Sequence, residues 1–243
     1  MIPGWLSIIA SVGMAFGPPL VYADQTISII KKKSSIGFSR DICGVLLIAN
    51  ITRLFFWLGD RFEFALLVQS MLMIIAQLVL LYICLLYKPK NSPENIGVSV
   101  RPYSFWQWPT FAQHIEFLAG MILVQTILFL IFGRNKIFVT IIGYVALGLE
   151  STLPIPQFIS NYKQKSLYGF RASTLLGWFG GDAFKLVYFF LQRSPIQFKV
   201  CAVFQLSVDF AIVVQRIYYG NKPPATTLAA EDDVEQALAL AEE

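Results

Sequence analysis

The sequence predicts an all-α membrane protein of seven transmembrane helices, and three observations carry that prediction. Of its 243 residues 56% are hydrophobic and only 14% charged, against roughly 25% charge in a soluble domain. The mean hydropathy is +0.61. Seven helices of ~20 apolar residues, the length that crosses ~30 Å of hydrocarbon, would use about 140 positions and leave about 100 for loops and ends.

Apolar windows place the helices at residues 5–23, 41–58, 62–87, 114–132, 137–158, 172–191 and 196–218. Four residues precede the first window, with neither a basic segment nor a small-residue cleavage site. The first helix is therefore expected to remain as an uncleaved anchor. The loops after helices one, three and five, with the C-terminal end, hold twelve Lys and Arg, among them Lys31, Lys32, Lys33, Lys88, Lys163 and Lys165, whereas the alternate loops hold five. Basic loops stay on the cytoplasmic side, so the N-terminus is expected to be lumenal and the C-terminus cytosolic.

The long connection 88–113 contains proline and the aromatic residues Tyr103, Phe105, Trp106 and Trp108, which suits a segment at the cytoplasmic interface. It sets the domain boundaries: a first three-helix repeat at 1–87, the loop and linker helix four at 88–136, a second repeat at 137–220 and an acidic tail at 221–243. The tail, with Glu231, Asp232, Asp233, Glu235, Glu242 and Glu243, reads as a solvated end and is a candidate site for a cytosolic partner.

Other chemistry is excluded by what the spans contain. A net charge of +4 spread over the loops gives no basic face for nucleic acid. Cys43, Cys84 and Cys201 lie in apolar runs and read as buried thiols rather than disulfides or metal ligands. His114, beside Glu116 at the start of helix four, is the only histidine, so no catalytic triad or metal site can be assembled and none is expected. Gly177–Gly181 lacks the lysine and hydroxyl of a phosphate-cradling loop, which leaves ATP-driven transport and any cofactor unsupported.

An internal repeat organises the spans. At an offset of 132 residues Gln25, Ile27, Ser28, Lys31, Lys33, Ser34, Gly37, Phe38 and Leu54 fall on identical residues, and the same shift brings Asn50 onto Asp182, Arg53 onto Lys185 and Gln77 onto Asp209. Two three-helix units joined by one odd helix must point the same way across the membrane, a 3+1+3 arrangement of parallel repeats. Pro18 and Pro19 in one unit, and Pro154 and Pro156 in the other, are expected to interrupt the first helix of each, as hinges on a substrate path or as packing kinks.

Leu153-Pro154-Ile155-Pro156-Gln157, Asn161-Tyr162-Lys163-Gln164-Lys165-Ser166 and Gly169-Phe170 resemble the PQ-loop repeat superfamily, which includes the cystinosin-like amino-acid exporters, the MtN3/SWEET sugar carriers and the KDEL receptors. The resemblance covers residues 5 to about 219 and implies the duplicated seven-helix fold. In the first copy the dipeptide reads Asp24-Gln25, a departure from the motif. Gly180-Gly181-Asp182-Ala183-Phe184-Lys185 is similar to the branch of Golgi and endosomal membranes, which implies phospholipid scrambling between leaflets.

Ionisable groups inside spans are costly unless paired or hydrated and are functional candidates. Asp182 and Lys185 share a helix face at i,i+3; with Asn50 and Arg53 at the matching positions, one carboxylate among two cations could receive a lipid headgroup or bind a proton. The plainer reading is a structural salt bridge. Asp209 and Gln77 extend the candidate path because both copies carry a polar group there, whereas Glu150 has no polar match. Gln157 beside Pro156 supplies hydrogen-bonding groups and a hinge, or else only a helix end. Gly13 with Gly17, and Gly177 with Gly181, have the small-xxx-small spacing of close helix packing. The Asn50-Ile51-Thr52 sequon falls inside a span, out of reach of glycosylation. The expected activity is passive scrambling of membrane phospholipids. The alternatives are a proton-coupled exporter of a small polar solute, such as an amino acid or sugar, and a trafficking receptor or adaptor.

Overall fold

The computed structural model describes residues 4–35, 38–88, 105–167 and 172–220. Among these run eight helices: α1 (Gly4–Lys32), α2 (Arg40–Gly59), α3 (Phe64–Leu86), α4 (Phe111–Phe132), α5 (Lys136–Ser151), α6 (Ile155–Gln164), α7 (Ala172–Leu191) and α8 (Ile196–Tyr219). By length and composition α2, α3, α4, α8 and the stretch Lys136–Gln164 can each cross a membrane. The architecture is that of an all-α integral membrane protein. The acidic tail, residues 89–104 of the long connection, and Gly37, Gly169 and Phe170 of the motifs lie outside the described residues.

The first helix corrects the expected window of 5–23. It has 29 residues and runs without interruption through Pro18 and Pro19 to Lys32, about 43 Å at 1.5 Å per residue. Hydropathy marks only the apolar part, whereas backbone hydrogen bonding continues through the polar run from Asp24, and Lys31 and Lys32 in the last turn suit the negative end of the dipole. Each proline removes one donor without ending the helix, so the interruption expected in the first copy is absent. In the second copy it is present, and the predicted helix 137–158 divides. Pro154 is the N-cap of α6 and Pro156 lies in its first turn, where a missing N–H removes no intrahelical bond.

The helix limits recur at the repeat offset. Gly4–Lys32 shifts onto the span Lys136–Gln164, Arg40–Gly59 onto Ala172–Leu191, and Phe64–Leu86 onto 196–218 within α8. Lys33 and Lys165 end the matching segments with φ of 49° and 50°, a left-handed cap that arrests the helix. The chain is then tied back alike in each copy: Ser35 N–H donates to Tyr87 O at 3.1 Å and Leu167 N–H to Gly220 O at 3.2 Å.

Two compact units divide the chain, one holding Met1–Glu150 with Tyr188–Cys201, the other Ser151–Val187 with Ala202–Glu243. In the first, α1 and α2 pack on α3, and α4 leans on both α2 and α3. Its core gathers Ile29, Cys43, Leu47, Ile51, Leu80, Leu81, Cys84, Trp106 and Leu118. Farther along, Phe62 and Phe189 meet Phe198 edge to face at centroid distances of 4.9 and 5.0 Å. In the second unit Leu167, Leu175 and Ile212 form the core with Phe158, Val208 and Tyr219. All three cysteines are buried free thiols.

Trp106 corrects the reading of the connection as purely interfacial. It is 2% exposed and donates from Nε1 to Arg40 O at 2.9 Å. A Cβ on Gly44 would lie 2.6 Å from its ring, so glycine is what admits the indole there. The small-residue spacing makes no such contact: among the described residues a Cβ on Gly13, Gly17, Gly177 or Gly181 would meet nothing within 4 Å beyond its own helix backbone. The outer faces are apolar, with Leu130 80% and Ile217 81% exposed, as a hydrocarbon solvent requires.

Candidate functional site

In the first unit the polar residues of α2 and α3 point inward. Asn50, Arg53 and Gln77 are 1%, 3% and 0% exposed. Asn50 Nδ2 donates to Leu46 O, one turn back, at 2.8 Å, while Asn50 Oδ1 and both amide atoms of Gln77 are buried without a protein partner. Such atoms inside a membrane helix mark a place where water or a polar ligand group can be received. The burial of Asn50 also removes the sequon from any transferase.

Arg53 forms its ion pair with Glu150, at the end of α5, and lies 5.9 Å from the Phe198 ring centroid. This corrects the expectation of one carboxylate serving two cations, because Arg53 has a counter-ion of its own. The repeat leaves Glu150 unmatched, since position 18, its counterpart, is proline. The signal that could have found it is charge balance, since a buried guanidinium requires an acid somewhere in the spans. Beside this pair Thr52 Oγ accepts from Gln125 Nε2 at 2.8 Å, joining α2 to α4.

The second unit carries the acidic version of the same stations. Asp182 and Lys185 form the expected i,i+3 pair on α7, at 3.1 Å. Asp209 of α8 is 1% exposed and lies within the reach of both charges. Two carboxylates and one ammonium are thus collected where the first unit has an amide, a guanidinium and a second amide. A phosphate oxygen can meet the ammonium and an amine or quaternary ammonium the carboxylates, so the set is able to accept both ends of a zwitterionic headgroup.

Gln157 of the Pro-Gln motif anchors a chain of amides in the same unit. Its Nε2 donates to Asn161 Oδ1 at 2.7 Å, Asn161 Nδ2 to Gln215 Oε1 at 3.1 Å, and Gln215 Nε2 to Phe158 O at 3.1 Å. The α6 segment, whose start is set by Pro154 and Pro156, is thereby fastened to α8. In the first copy the offset places Ile29 and Ile83 where Asn161 and Gln215 stand, and both pack in or against the apolar core. Asn161→Ile should therefore lose about 1–3 kcal/mol in thermal unfolding by leaving the Gln215 Oε1 acceptor buried without its donor. Adding Gln215→Ile should restore most of it; a double variant no better than the single one would refute the pairing.

A second polar cluster left no mark in the spacing. Ser11 Oγ donates to Glu63 Oε1 at 2.9 Å and shares a 2.9 Å hydrogen bond with Tyr188 Oη, while Gln192 Nε2 donates to Ser7 Oγ at 2.6 Å. It ties the last turn of α7 to α1 within the first unit.

A family model of the PQ loop repeat matches residues 138–198, from α5 to the start of α8. The chain is 32% identical, over 294 aligned positions, to Scramblase ANY1 of Saccharomyces cerevisiae, an alignment that covers 90% of this chain and 72% of the yeast protein.

Proposed function

The chain belongs to the PQ-loop repeat family, and on that premise we propose that it is a phospholipid scramblase of endomembranes. The observation that carries this reading is its identity to the yeast scramblase across 90% of the chain. The physical support is the set of polar stations inside membrane-crossing helices. A charged headgroup in hydrocarbon costs several kcal/mol. Lys185 offers a cationic group for the lipid phosphate and Asp182 and Asp209 offer acids for an amine, while in the first unit Asn50 and Gln77 offer neutral hydrogen-bonding groups and Arg53 is held by Glu150. The acyl chains stay in lipid, so the movement is passive and bidirectional and uses no cofactor.

In this reading the chain is arranged as 3+1+3, with repeats at 1–87 and 137–220 and helix four between them, which the recurrence of helix limits at 132 residues supports. Pro154, Pro156 and Gln157 form a hinge in the second copy. Pro18 and Pro19 take the matching place in the first as a locus of bending without a break. The N-terminus is lumenal and the C-terminus, with its acidic tail, cytosolic; Golgi and endosomal membranes are the compartment.

Reconstituted into vesicles carrying a fluorescent phospholipid in both leaflets, the full chain should make the inner-leaflet label accessible to an external quencher without ATP. Quenching confined to the outer-leaflet label would refute the reading. A second reading, a proton-coupled solute exporter, is favoured by the two acids beside one lysine at Asp182, Asp209 and Lys185. It predicts amino-acid or sugar uptake driven by a pH gradient in the same vesicles.

A further inference from the structure

We propose that the groove between α4 and the α2–α3 pair, within the first unit, is a binding site for one acyl chain of a membrane lipid. The inference goes beyond the scramblase reading and does not depend on it, since an integral membrane protein meets acyl chains whether or not it moves lipids.

The apolar residues of α4 are spread around its circumference, so its own pattern selects no face for the core. Of its 22 residues only His114 and Leu118 are buried. The helix is held near both ends: the Phe111 ring meets Tyr82 of α3 at 5.6 Å, and the Phe129 ring meets Phe55 of α2 at 6.1 Å. Between these clasps the side chains leave a gap. A groove of about 430 Å³ runs from Leu47 to Leu58 of α2, faced by Ile74 and Leu78 of α3 and by Ile115 to Ile122 of α4. Its floor is buried, with Leu47 0% and Leu118 4% exposed, while Leu58 and Ile122 stand open at the rim, 48% and 41% exposed.

Hydrocarbon is what such a space accepts. Among the described residues every lining side chain is Leu, Ile, Phe or Ala, whereas a held water needs roughly two to four polar partners. Vacancy is no better, because the cost of a void grows with its volume, and this groove is about three times the ~150 Å³ apolar cavity that takes up benzene. Its dimensions select a single chain. Leu47 and Leu58 lie about 16 Å apart along the helix at 1.5 Å per residue, close to the ~15 Å of hydrocarbon in one leaflet. Spread over that length, the volume is a channel about 6 Å across. That is too narrow for a partner helix of ~10–12 Å and wide enough for one extended acyl chain. A chain lying there completes the packing of α4 through dispersion contacts, the attraction that remains between helices when the solvent is itself hydrocarbon.

The test places the full chain in vesicles containing phosphatidylcholine with a photoactivatable diazirine midway along one acyl chain, and maps the label by peptide. Peptides holding Leu47–Leu58 and Ile115–Ile122 should carry about fivefold more label than the middle of α8 around Phe210, which is 58% exposed. Ala119 is the smallest lining residue and is exposed, so Ala119→Phe fills the groove from its open side. It should bring the label on these peptides down to the α8 level and melt no lower than the parent in detergent, while Ala119→Ser should keep the parent's label. Equal labelling of the two regions in the parent would overturn the proposal, as would undiminished labelling in a folded Ala119→Phe chain. The parent's map decides the matter even where that variant does not fold. Loss of the label to an equal concentration of cholesterol would overturn the acyl chain as occupant. Lipid transfer enters none of these readouts, so a chain that labels as expected and moves no lipid refutes the scramblase reading alone.

Discussion

Glu150→Gln destabilises the folded chain by about 3–5 kcal/mol, the loss that follows when one partner of a buried ion pair is removed. The Arg53 side chain is 4% exposed and its acid 14%. Its Nε is buried without a partner, and its remaining neighbour of note is an aromatic face, Phe198. Neutralising the acid leaves a guanidinium among membrane helices without its counter-charge, held by a neutral amide oxygen and that weak cation–π attraction. The double variant Arg53→Met, Glu150→Leu removes both charges at similar volume and should recover most of the stability, since buried pairs replaced by apolar residues are often neutral or better. Thermal unfolding of both variants in nanodiscs checks this. A single variant as stable as the parent would show that the pair holds nothing together, and would leave Arg53 available as a path residue.

The second large effect is expected on transport. Asp182→Asn makes the α7 station resemble its counterpart Asn50, and Lys185 then still has Asp209 in reach, so the fold should survive. A charged group at mid-membrane costs roughly 2.5–3.5 kcal/mol, and a carboxylate that offsets about half of this for an amine-bearing headgroup should, when lost, slow transfer about tenfold. Lys185→Gln removes the phosphate partner instead and should slow every phospholipid, including those without an amine. Transfer rates of labelled lipids in vesicles, with melting curves as the control for folding, distinguish the two. Unchanged rates in both folded variants would remove the α7 station from the path.

The residues of the second unit's charged station were readable before any coordinates because their geometry is local. Asp182 and Lys185 are three residues apart on one helix, and helical periodicity alone brings them together. Asp209 was readable because duplication places it opposite Gln77. Glu150 was not, for its partner is 97 residues away and the duplication aligns it with a proline. The same limit applies to Trp106: composition marks an aromatic segment near the membrane surface, but only the absence of a side chain at Gly44 decides that the indole enters the core.

Hydropathy was enough to establish a helical membrane protein, because lipid forces backbone bonds to close within each helix and leaves an apolar run of nearly constant length, and the 132-residue offset pointed to the recurrence of helix limits. Where those runs break was a tertiary matter. Tandem prolines at 18 and 19 lie inside a continuous helix, whereas Pro154 caps a new one, and the amide chain from Gln157 to Gln215 supplies the second copy with a fastening that Ile29 and Ile83 provide apolarly in the first. Partner choice among buried charges belongs to the same class: it depends on which side chains converge from distant segments, and desolvation penalises every arrangement in which one is left over.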